Sequence, residues 1–362
     1  MSAPRVPPTP AAPARLPILD GHNDALLALV RDPERPDSLL ERSGRGHLDL
    51  PRALEGGLAG GFFAIFTPSG RAHGPRRRDA GASYELPFPP TPSLGRAQRF
   101  TGALAARLFR DERASGGRLQ VVRRLAELES CIERGVLGVI LHIEGAEAID
   151  PGLDALEVLY RTGLRSLGVV WSRPNAFGYG VPFKFPSSPD TGPGLTDAGK
   201  ALVRACNELG VLIDLAHLNE QGFRDVARLS SAPLVATHSN AHALCPSARN
   251  LTDEQLRAIR DSGGMVGVNF AVSMLRPDGR PDPETALEVV VRHFDHLIER
   301  LGEDKVGFGS DFDGTIVPNA IKDVTGLKHL VGALRAAGYD QALLEKLAFR
   351  NWLRVLARTW AA

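Results

Sequence analysis

The 362-residue sequence has few cysteines, no long apolar run and almost no net charge. Its three cysteines, Cys131, Cys206 and Cys245, are widely spaced and odd in number, which argues against a disulfide framework or a paired-cysteine metal site. Apolar runs of about 18 residues are absent, so no transmembrane helix is expected. With 43 Lys and Arg against 42 Asp and Glu, nothing in the charge balance favours nucleic acid or an anionic membrane as a partner.

The first 15 residues are rich in proline, alanine and arginine, a composition typical of a disordered leader. They lack the apolar run of a secretory signal peptide, so the cytoplasm is the expected location.

Short apolar runs of strand length recur along the rest of the chain. Each is mostly apolar, as expected of strands that are covered on both faces. The eight runs are Leu16–Leu19, Gly61–Phe66, Leu137–Ile143, Ser166–Trp171, Val211–Ala216, Leu234–Thr237, Met265–Phe270 and Val306–Gly309.

Amphipathic stretches with helical periodicity lie between most of these runs. They are Phe100–Phe109, Val121–Cys131, Asp197–Leu209, Gln221–Leu229, Asp253–Asp261, Pro283–Leu301 and Leu343–Arg358. Thr196 and Thr252 each precede an acidic first turn and predict helix N-caps. Alternating strands and helices indicate right-handed βαβ units, and eight such units favour a closed (β/α)8 barrel of the TIM type. Residues 16–362 are therefore expected to form one catalytic barrel domain.

Two connections are long and rich in proline and glycine. They run from Thr67 to Leu94 and from Ser172 to Gly194. Loops of this length in a compact domain are usually lids over a site, or else disordered. The Arg76–Arg78 run within the first is best explained as a solvated surface segment.

Residues of the types that commonly bind metal ions lie at the ends of five predicted strands. In a barrel, all parallel strands end on the same rim, and that rim holds the active site. Alone, each residue would be read as a hydrogen-bonded structural group or a helix cap; together they predict a metal site with nitrogen and oxygen ligands, which suits Zn²⁺, with Mn²⁺, Co²⁺ or Fe²⁺ as alternatives. The residues are His22 and Asp24, Glu144, His217, His238 and Asp311.

Four other histidines are weaker candidates for a functional role. His142 lies two residues before Glu144 on the same strand face, where it either supports a ligand or fills the barrel interior. His242, His293 and His296 are expected on loop or helix surfaces.

A set of short motifs resembles the membrane (renal) dipeptidase family of the amidohydrolase superfamily, over nearly the whole chain after residue 16. The motifs are Asp20-Gly21-His22-Asn23-Asp24, Glu144-Gly145, Leu212-Ile213-Asp214-Leu215-Ala216-His217, Thr237-His238-Ser239-Asn240, Ala248-Arg249-Asn250-Leu251, Gly267-Val268-Asn269-Phe270 and Gly309-Ser310-Asp311-Phe312-Asp313-Gly314.

The resemblance implies a zinc-dependent dipeptidase that hydrolyses dipeptides through a hydroxide bridging two Zn²⁺ ions. His22 and Asp24 would bind the first zinc, His217 and His238 the second, and Glu144 would bridge them. Asp311 would be the acid/base, rather than Asp313. Arg249 would hold the substrate's terminal carboxylate, although without the resemblance it would be read as part of an ion pair. A D-residue at the substrate's C-terminal position and a homodimer are further expectations of the resemblance.

One position departs from the family pattern. Well-known members carry a histidine just after the fourth strand, where it is thought to bond the substrate carbonyl, and Trp171 aligns there. The Trp171 indole, Arg173 or Asn175 would replace that donor, or the metal alone would polarise the carbonyl; Trp171 and Asn175 are accordingly predicted to bind substrate. Loss of one oxyanion donor typically lowers the rate by about 100- to 1000-fold. Two alternatives therefore stay open: a binuclear amidohydrolase acting on another amide, a lactam or an N-acyl amino acid, and a metal-binding scaffold without turnover.

Overall fold

Eight parallel strands close into a barrel in the computed structural model, which describes residues 16–31, 38–70, 78–79 and 83–360. The barrel strands are β1 (Ile18–Asn23), β2 (Leu58–Phe66), β3 (Leu137–Glu144), β4 (Leu164–Gly168), β5 (Leu212–Asp214), β6 (Val235–Ala236), β7 (Met265–Val268) and β8 (Val306–Phe308). Neighbours in the ring are neighbours in sequence, and pairing of β1 with β8 completes the circle. The predicted fold is confirmed. The predicted leader, residues 1–15, lies outside the described residues.

One predicted helix begins later than expected because its first residue is the last residue of a ninth parallel strand. Helical periodicity predicted Val121–Cys131, but Leu119–Val121 pairs with the start of β3 and the helix spans Leu125–Arg134. Leu119 and Val121 are buried on either side of half-buried Gln120, which is the alternation of a strand.

Helices cover the outside of the barrel. Asp197–Leu209 and Asp253–Asp261 have the predicted bounds, and the side chains of Thr196 and Thr252 cap them as predicted. The others are Ala25–Arg31, Leu50–Gly56, Leu94–Ala114, Leu125–Arg134, Asp154–Thr162, Glu220–Leu229, Val272–Leu275, Leu287–Leu301, Leu327–Ala336, Gln341–Glu345 and Asn351–Thr359, with a π-helical turn at Lys346–Arg350 between the last two. Among the described residues, no helix is long and apolar enough to cross a membrane.

The two long loops are joined by a small antiparallel sheet. Its strands are Arg78–Asp79, Tyr84–Glu85 and Lys184–Phe185, so it takes strands from both loops. The backbone N–H of Leu86 also donates to the carbonyl of Phe183 over 2.9 Å. The loops after β2 and β4 therefore form one connected wall on one side of the rim.

His293 is not on a surface, so that expectation was wrong. It is fully buried in the helix Leu287–Leu301. Its Nδ1 accepts the backbone N–H of Ala241 at 3.2 Å, and its Nε2 lies 2.9 Å from the carbonyl of Leu275. Because one ring nitrogen accepts and the other donates, the neutral imidazole connects this helix to the loop after β6 and to the short helix Val272–Leu275.

Candidate active site

Three histidines from three strand ends surround one carboxylate oxygen. Glu144 Oε1 lies 3.0 Å from His217 Nε2, 3.5 Å from His238 Nε2 and 3.7 Å from His22 Nε2. The two nitrogens of His217 and His238 are only 3.1 Å apart. All four side chains are buried. The structure thus brings together four residues that the sequence placed at the ends of β1, β3, β5 and β6.

A second group of donors adjoins the first and shares His22 with it. The ligand atoms of His22, Asp24 and Asp311 all lie within 4.8 Å of one another, as do those of His22, Glu144 and His238. Both ring nitrogens of His22 and Asp24 Oδ1 are buried without a hydrogen-bond partner among the described residues. A buried polar atom without a partner costs about 1–3 kcal/mol, so Asp24 Oδ1 and the one ring nitrogen of His22 that carries no proton are suited to a cation. The donor set therefore fits two adjacent metal ions.

A hydrogen-bond relay fixes the orientation of two of the histidines. The Thr237 hydroxyl donates to Asp214 Oδ2 at 2.6 Å and so accepts from His238 Nδ1, which is 2.9 Å away. His217 Nδ1 lies 2.7 Å from the Ser172 hydroxyl. Burial lowers the pKa of both imidazoles well below the usual range, so both rings are neutral. Each ring can direct the lone pair of Nε2 towards Glu144, as a metal ligand requires.

The carboxyl groups of the site favour a positive charge close to them. Burial raises the pKa of Glu144 to about 8 and that of Asp311 to about 6. Burial alone would lower the pKa of His22, but the carboxylates of Glu144 and Asp24 outweigh it and raise that pKa to about 10. Several carboxylates stay charged together in such a site only if cations compensate them; otherwise they take up protons.

The backbone is strained at two of the predicted site residues. His217 and Asp311 have φ angles of 67° and 60°, in the left-handed region that non-glycine residues seldom adopt. Beside them, a Cβ atom on Gly314 would collide with the carboxylates of Asp24 and Asp311. Glycine at this position therefore allows the two carboxylates to approach each other.

Asp311 is held by an amide that the sequence did not single out. Asn269 Nδ2 donates to Asp311 Oδ2 at 2.9 Å, and Asn240 holds Asn269 through two further hydrogen bonds. Asn240 and Asn269 both lie within motifs that carried the family resemblance, and that was the available signal. The contact fixes one oxygen of Asp311 and leaves the other beside Gly314.

Arg249 is buried next to the donor cluster, not in a surface ion pair. It is 3% exposed, and its Nη2 donates to the His238 carbonyl at 3.3 Å. Its Nε has no acceptor among the described residues. Burial lowers the pKa of Arg249, while the charges of Asp311 and Glu144 act in the opposite direction. A buried guanidinium with unused donors is suited to bind a carboxylate.

Trp171 lies at the rim, beside the metal-ligand candidates. Its ring centroid is 5.8 Å from that of His217, and it packs against Phe66 and Phe183 at 4.7 and 5.5 Å. A role of this side chain in substrate binding stays a prediction.

Arg173 and Asn175 are engaged in contacts of their own. Arg173 is fully buried and donates to Glu147, to the Ser69 hydroxyl and to the Thr67 carbonyl at 2.7–2.8 Å. The Asn175 amide donates to the Val169 carbonyl and accepts two backbone N–H groups of its own loop. These contacts hold the loop after β4 in place, and they do not direct Asn175 to the donor cluster.

His142 fills the barrel interior directly below the cluster. Its Nδ1 lies 2.9 Å from the Ser166 hydroxyl, and its ring packs edge-on against His22 at 5.4 Å. Burial lowers its pKa well below the usual range. The neutral ring thus supports the position of His22.

Comparisons with known proteins find relatives that match most of the chain. The family model described as membrane dipeptidase, peptidase family M19, matches residues 11–361. A crystal structure of a metallo peptidase from Rhodobacter sphaeroides, liganded with a phosphinate mimic of the dipeptide L-Ala-D-Ala, is 57% identical with a TM-score of 0.92, covering 95% of this chain and 99% of that one. The structure of a metallo peptidase called dipeptidase AC is 56% identical with a TM-score of 0.90, covering 96% and 99%. An uncharacterised protein in the pqqA 5′ region of Klebsiella pneumoniae is 54% identical, over 68% of this chain and 91% of its own.

Proposed function

The chain belongs to the membrane dipeptidase family of metal-dependent peptidases, and from this premise we propose that it hydrolyses the amide bond of dipeptides with two zinc ions at the barrel rim. The observation that carries the proposal is the convergence of six donors at one end of the barrel, namely His22, Asp24, Glu144, His217, His238 and Asp311.

Five of these residues would hold the metals. His22 and Asp24 would bind one ion, and His217 and His238 the other. Glu144 would stand between them, which its contacts with all three histidine Nε2 atoms support. When bound, two such ions lower the pKa of a water molecule and polarise a carbonyl group.

Asp311 would move the proton. Asn269 holds one of its oxygens, and the other lies beside Asp24 and Gly314. From this position the carboxylate would accept a proton from the attacking water and return it to the departing amine. Hydrolysis then yields two amino acids.

Arg249 would bind the free carboxylate of the substrate's C-terminal residue. We expect Arg249→Lys to lower kcat/KM for dipeptides by about 10- to 100-fold, mainly through KM, because an ammonium cannot reproduce two parallel hydrogen bonds. Steady-state kinetics with a dipeptide and its C-terminal amide check this. The wild type should discriminate strongly against the amide, and the variant much less; equal discrimination in both proteins would contradict the assignment.

One panel of candidate substrates tests which compounds the protein hydrolyses. It holds dipeptides with an L- or D-residue at the C-terminus, beside lactams and N-acyl amino acids. A D-residue is included because the Rhodobacter sphaeroides relative was crystallised with a mimic of L-Ala-D-Ala. Turnover of dipeptides supports the proposal. Turnover confined to lactams or N-acyl amino acids would favour the alternative amidohydrolase activity, which is worth testing because Trp171 stands in place of the family histidine.

A homodimer and a cytoplasmic location stay predictions from the sequence.

A further inference from the structure

The segment that carries Asp311 is short and strained. Asp311 and Asp313 have φ angles of 60° and 68°, and Phe312 between them is buried. Left-handed backbone at a non-glycine residue costs about 1–3 kcal/mol and persists only where neighbouring contacts hold it. The position of the Asp311 carboxylate therefore depends on the contacts that hold this segment, residues 311–313.

The end of β1 holds one side of the segment. The backbone N–H of Asp311 donates to the carbonyl of His22 at 2.9 Å, and the N–H of Asp24 donates to the carbonyl of Phe312 at 2.8 Å. His22 and Asp24 are the predicted ligands of one metal ion. These two bonds therefore align Asp311 and Phe312 with the predicted metal site, but neither of them involves Asp313.

His47 holds the other side, from the loop that precedes the helix Leu50–Gly56. Its Nδ1 accepts the backbone N–H of Asp313 at 2.8 Å, and its own backbone N–H donates to Asp313 Oδ1 at 2.7 Å. Its ring centroid lies 5.7 Å from that of Phe312. Because Nδ1 accepts, the neutral imidazole carries its proton on Nε2. One residue thus binds, through both its side chain and its backbone, a segment that lies 266 positions away in the chain.

The backbone around His47 has contacts that fix its own position. The Val324 N–H donates to the His47 carbonyl at 3.0 Å. Arg52, which is 4% exposed, donates through Nη1 to the Gly46 carbonyl and through Nη2 to that of Arg45, at 2.9 and 3.1 Å. The imidazole therefore projects from an anchored loop, and its bond to Asp313 ties residues 311–313 to that loop.

We propose that His47 is a positioning residue for the acid/base Asp311: its Nδ1 holds the backbone of Asp313 and so keeps the Asp311 carboxylate at the predicted metal site. The inference rests on the proposed dipeptidase activity, in which Asp311 moves the proton. It adds a residue that acts through the backbone of its neighbour. Displacement of a reacting group by about 1 Å can lower a rate about 100-fold, so loss of the bond to Asp313 should be measurable in kcat.

The first test compares His47→Leu with His47→Asn in the zinc-loaded protein on one dipeptide. Leucine removes the acceptor, whereas the Oδ1 of asparagine is bonded to Cγ, as Nδ1 is in histidine, and can accept the same N–H. We expect His47→Leu to lower kcat about 10- to 100-fold with KM within about threefold of the wild type, and His47→Asn to recover most of that loss. Zinc content should stay at the wild-type level in both variants.

His329→Leu is the matched control, because His329 is an exposed histidine whose Nδ1 lies 2.9 Å from the carbonyl of Ala320; it should keep the wild-type kcat. Equal kcat in His47→Leu and the wild type, equal losses in His47→Leu and His47→Asn, or an equal loss in the control would overturn the inference and leave the dipeptidase proposal intact. Absence of turnover by the wild type on every dipeptide would instead overturn the dipeptidase proposal. If His47→Leu does not fold, His47→Gln, whose acceptor lies one bond further from the backbone, takes its place in the comparison with His47→Asn.

The second test determines whether His47 acts through Asp311. In the Asp311→Asn background, His47→Leu should lower kcat by less than about threefold, because the group that it positions no longer transfers the proton. Hydrogen exchange followed by mass spectrometry should show faster exchange of residues 311–313 in His47→Leu than in His47→Asn. The same fold-loss of kcat with and without the Asp311 carboxylate, or unchanged exchange in His47→Leu, would overturn the inference.

Discussion

Replacing Asp311 by asparagine is expected to lower kcat by about 100- to 10,000-fold, the usual contribution of a positioned general acid or base. The amide keeps the shape of the side chain and can still contact Asn269, but it cannot accept a proton from water. Metal content should be unchanged, because the five predicted metal ligands, which include Glu144 and His22, all remain. Zinc analysis alongside steady-state kinetics separates loss of chemistry from loss of metal.

Asp313→Asn is the matched control for that experiment. Asp313 lies two residues further along the chain, also has a positive φ angle, and its Oδ1 accepts the backbone N–H of His47. We expect this variant to keep activity within about tenfold of the wild type, since it removes no proton acceptor from the site. Equal losses in the two variants would show that the loop, not the Asp311 carboxylate, accounts for the effect. Loss of one zinc in Asp311→Asn would identify Asp311 as a ligand.

Removal of the metals is expected to abolish turnover, and added Zn²⁺ should restore it. Without cations, the carboxylates of Glu144 and Asp311, whose pKa values burial raises, would have to take up protons or repel one another. A ligand present at a thousand times its dissociation constant stabilises the folded state by about 4 kcal/mol, so the chelated protein should also unfold at a lower temperature.

His242→Ala and His238→Ala, both in the loop after β6, provide the comparison for metal removal. His242 is half-buried and lies 2.9 Å from the Ser187 carbonyl, outside the donor cluster, whereas His238 faces Glu144. Calorimetry and zinc analysis should show loss of metal in His238→Ala only. Full activity in the chelated wild type, verified free of metal, would rule out the metal-dependent mechanism.

The positions of the predicted ligands could be inferred from sequence because strand ends are regular. Each apolar run ends on the same rim of a parallel barrel, so a polar residue just after the run has a defined place. The structure shortens several of these strands: β5 ends at Asp214 and β6 at Ala236, before His217 and His238. The turn that carries His217 at a φ of 67° comes after the strand, and a pattern of apolar residues does not record it.

The supporting hydrogen bonds could not be predicted, because they join residues far apart in the chain. Asp214 reaches His238 through Thr237, and Asn269 reaches Asp311 across 42 positions. The small sheet that joins the two long loops could not be predicted either, because its strands are only two residues long. Periodicity does not detect elements this short.

The central claim, a pair of zinc ions on either side of Glu144, is tested most directly by locating the metals in crystals of the purified protein. Anomalous diffraction at the zinc absorption edge should show two peaks per chain, one beside His22 and Asp24 and the other beside His217 and His238. A single peak, or peaks away from Glu144 in protein that is fully active, would contradict it.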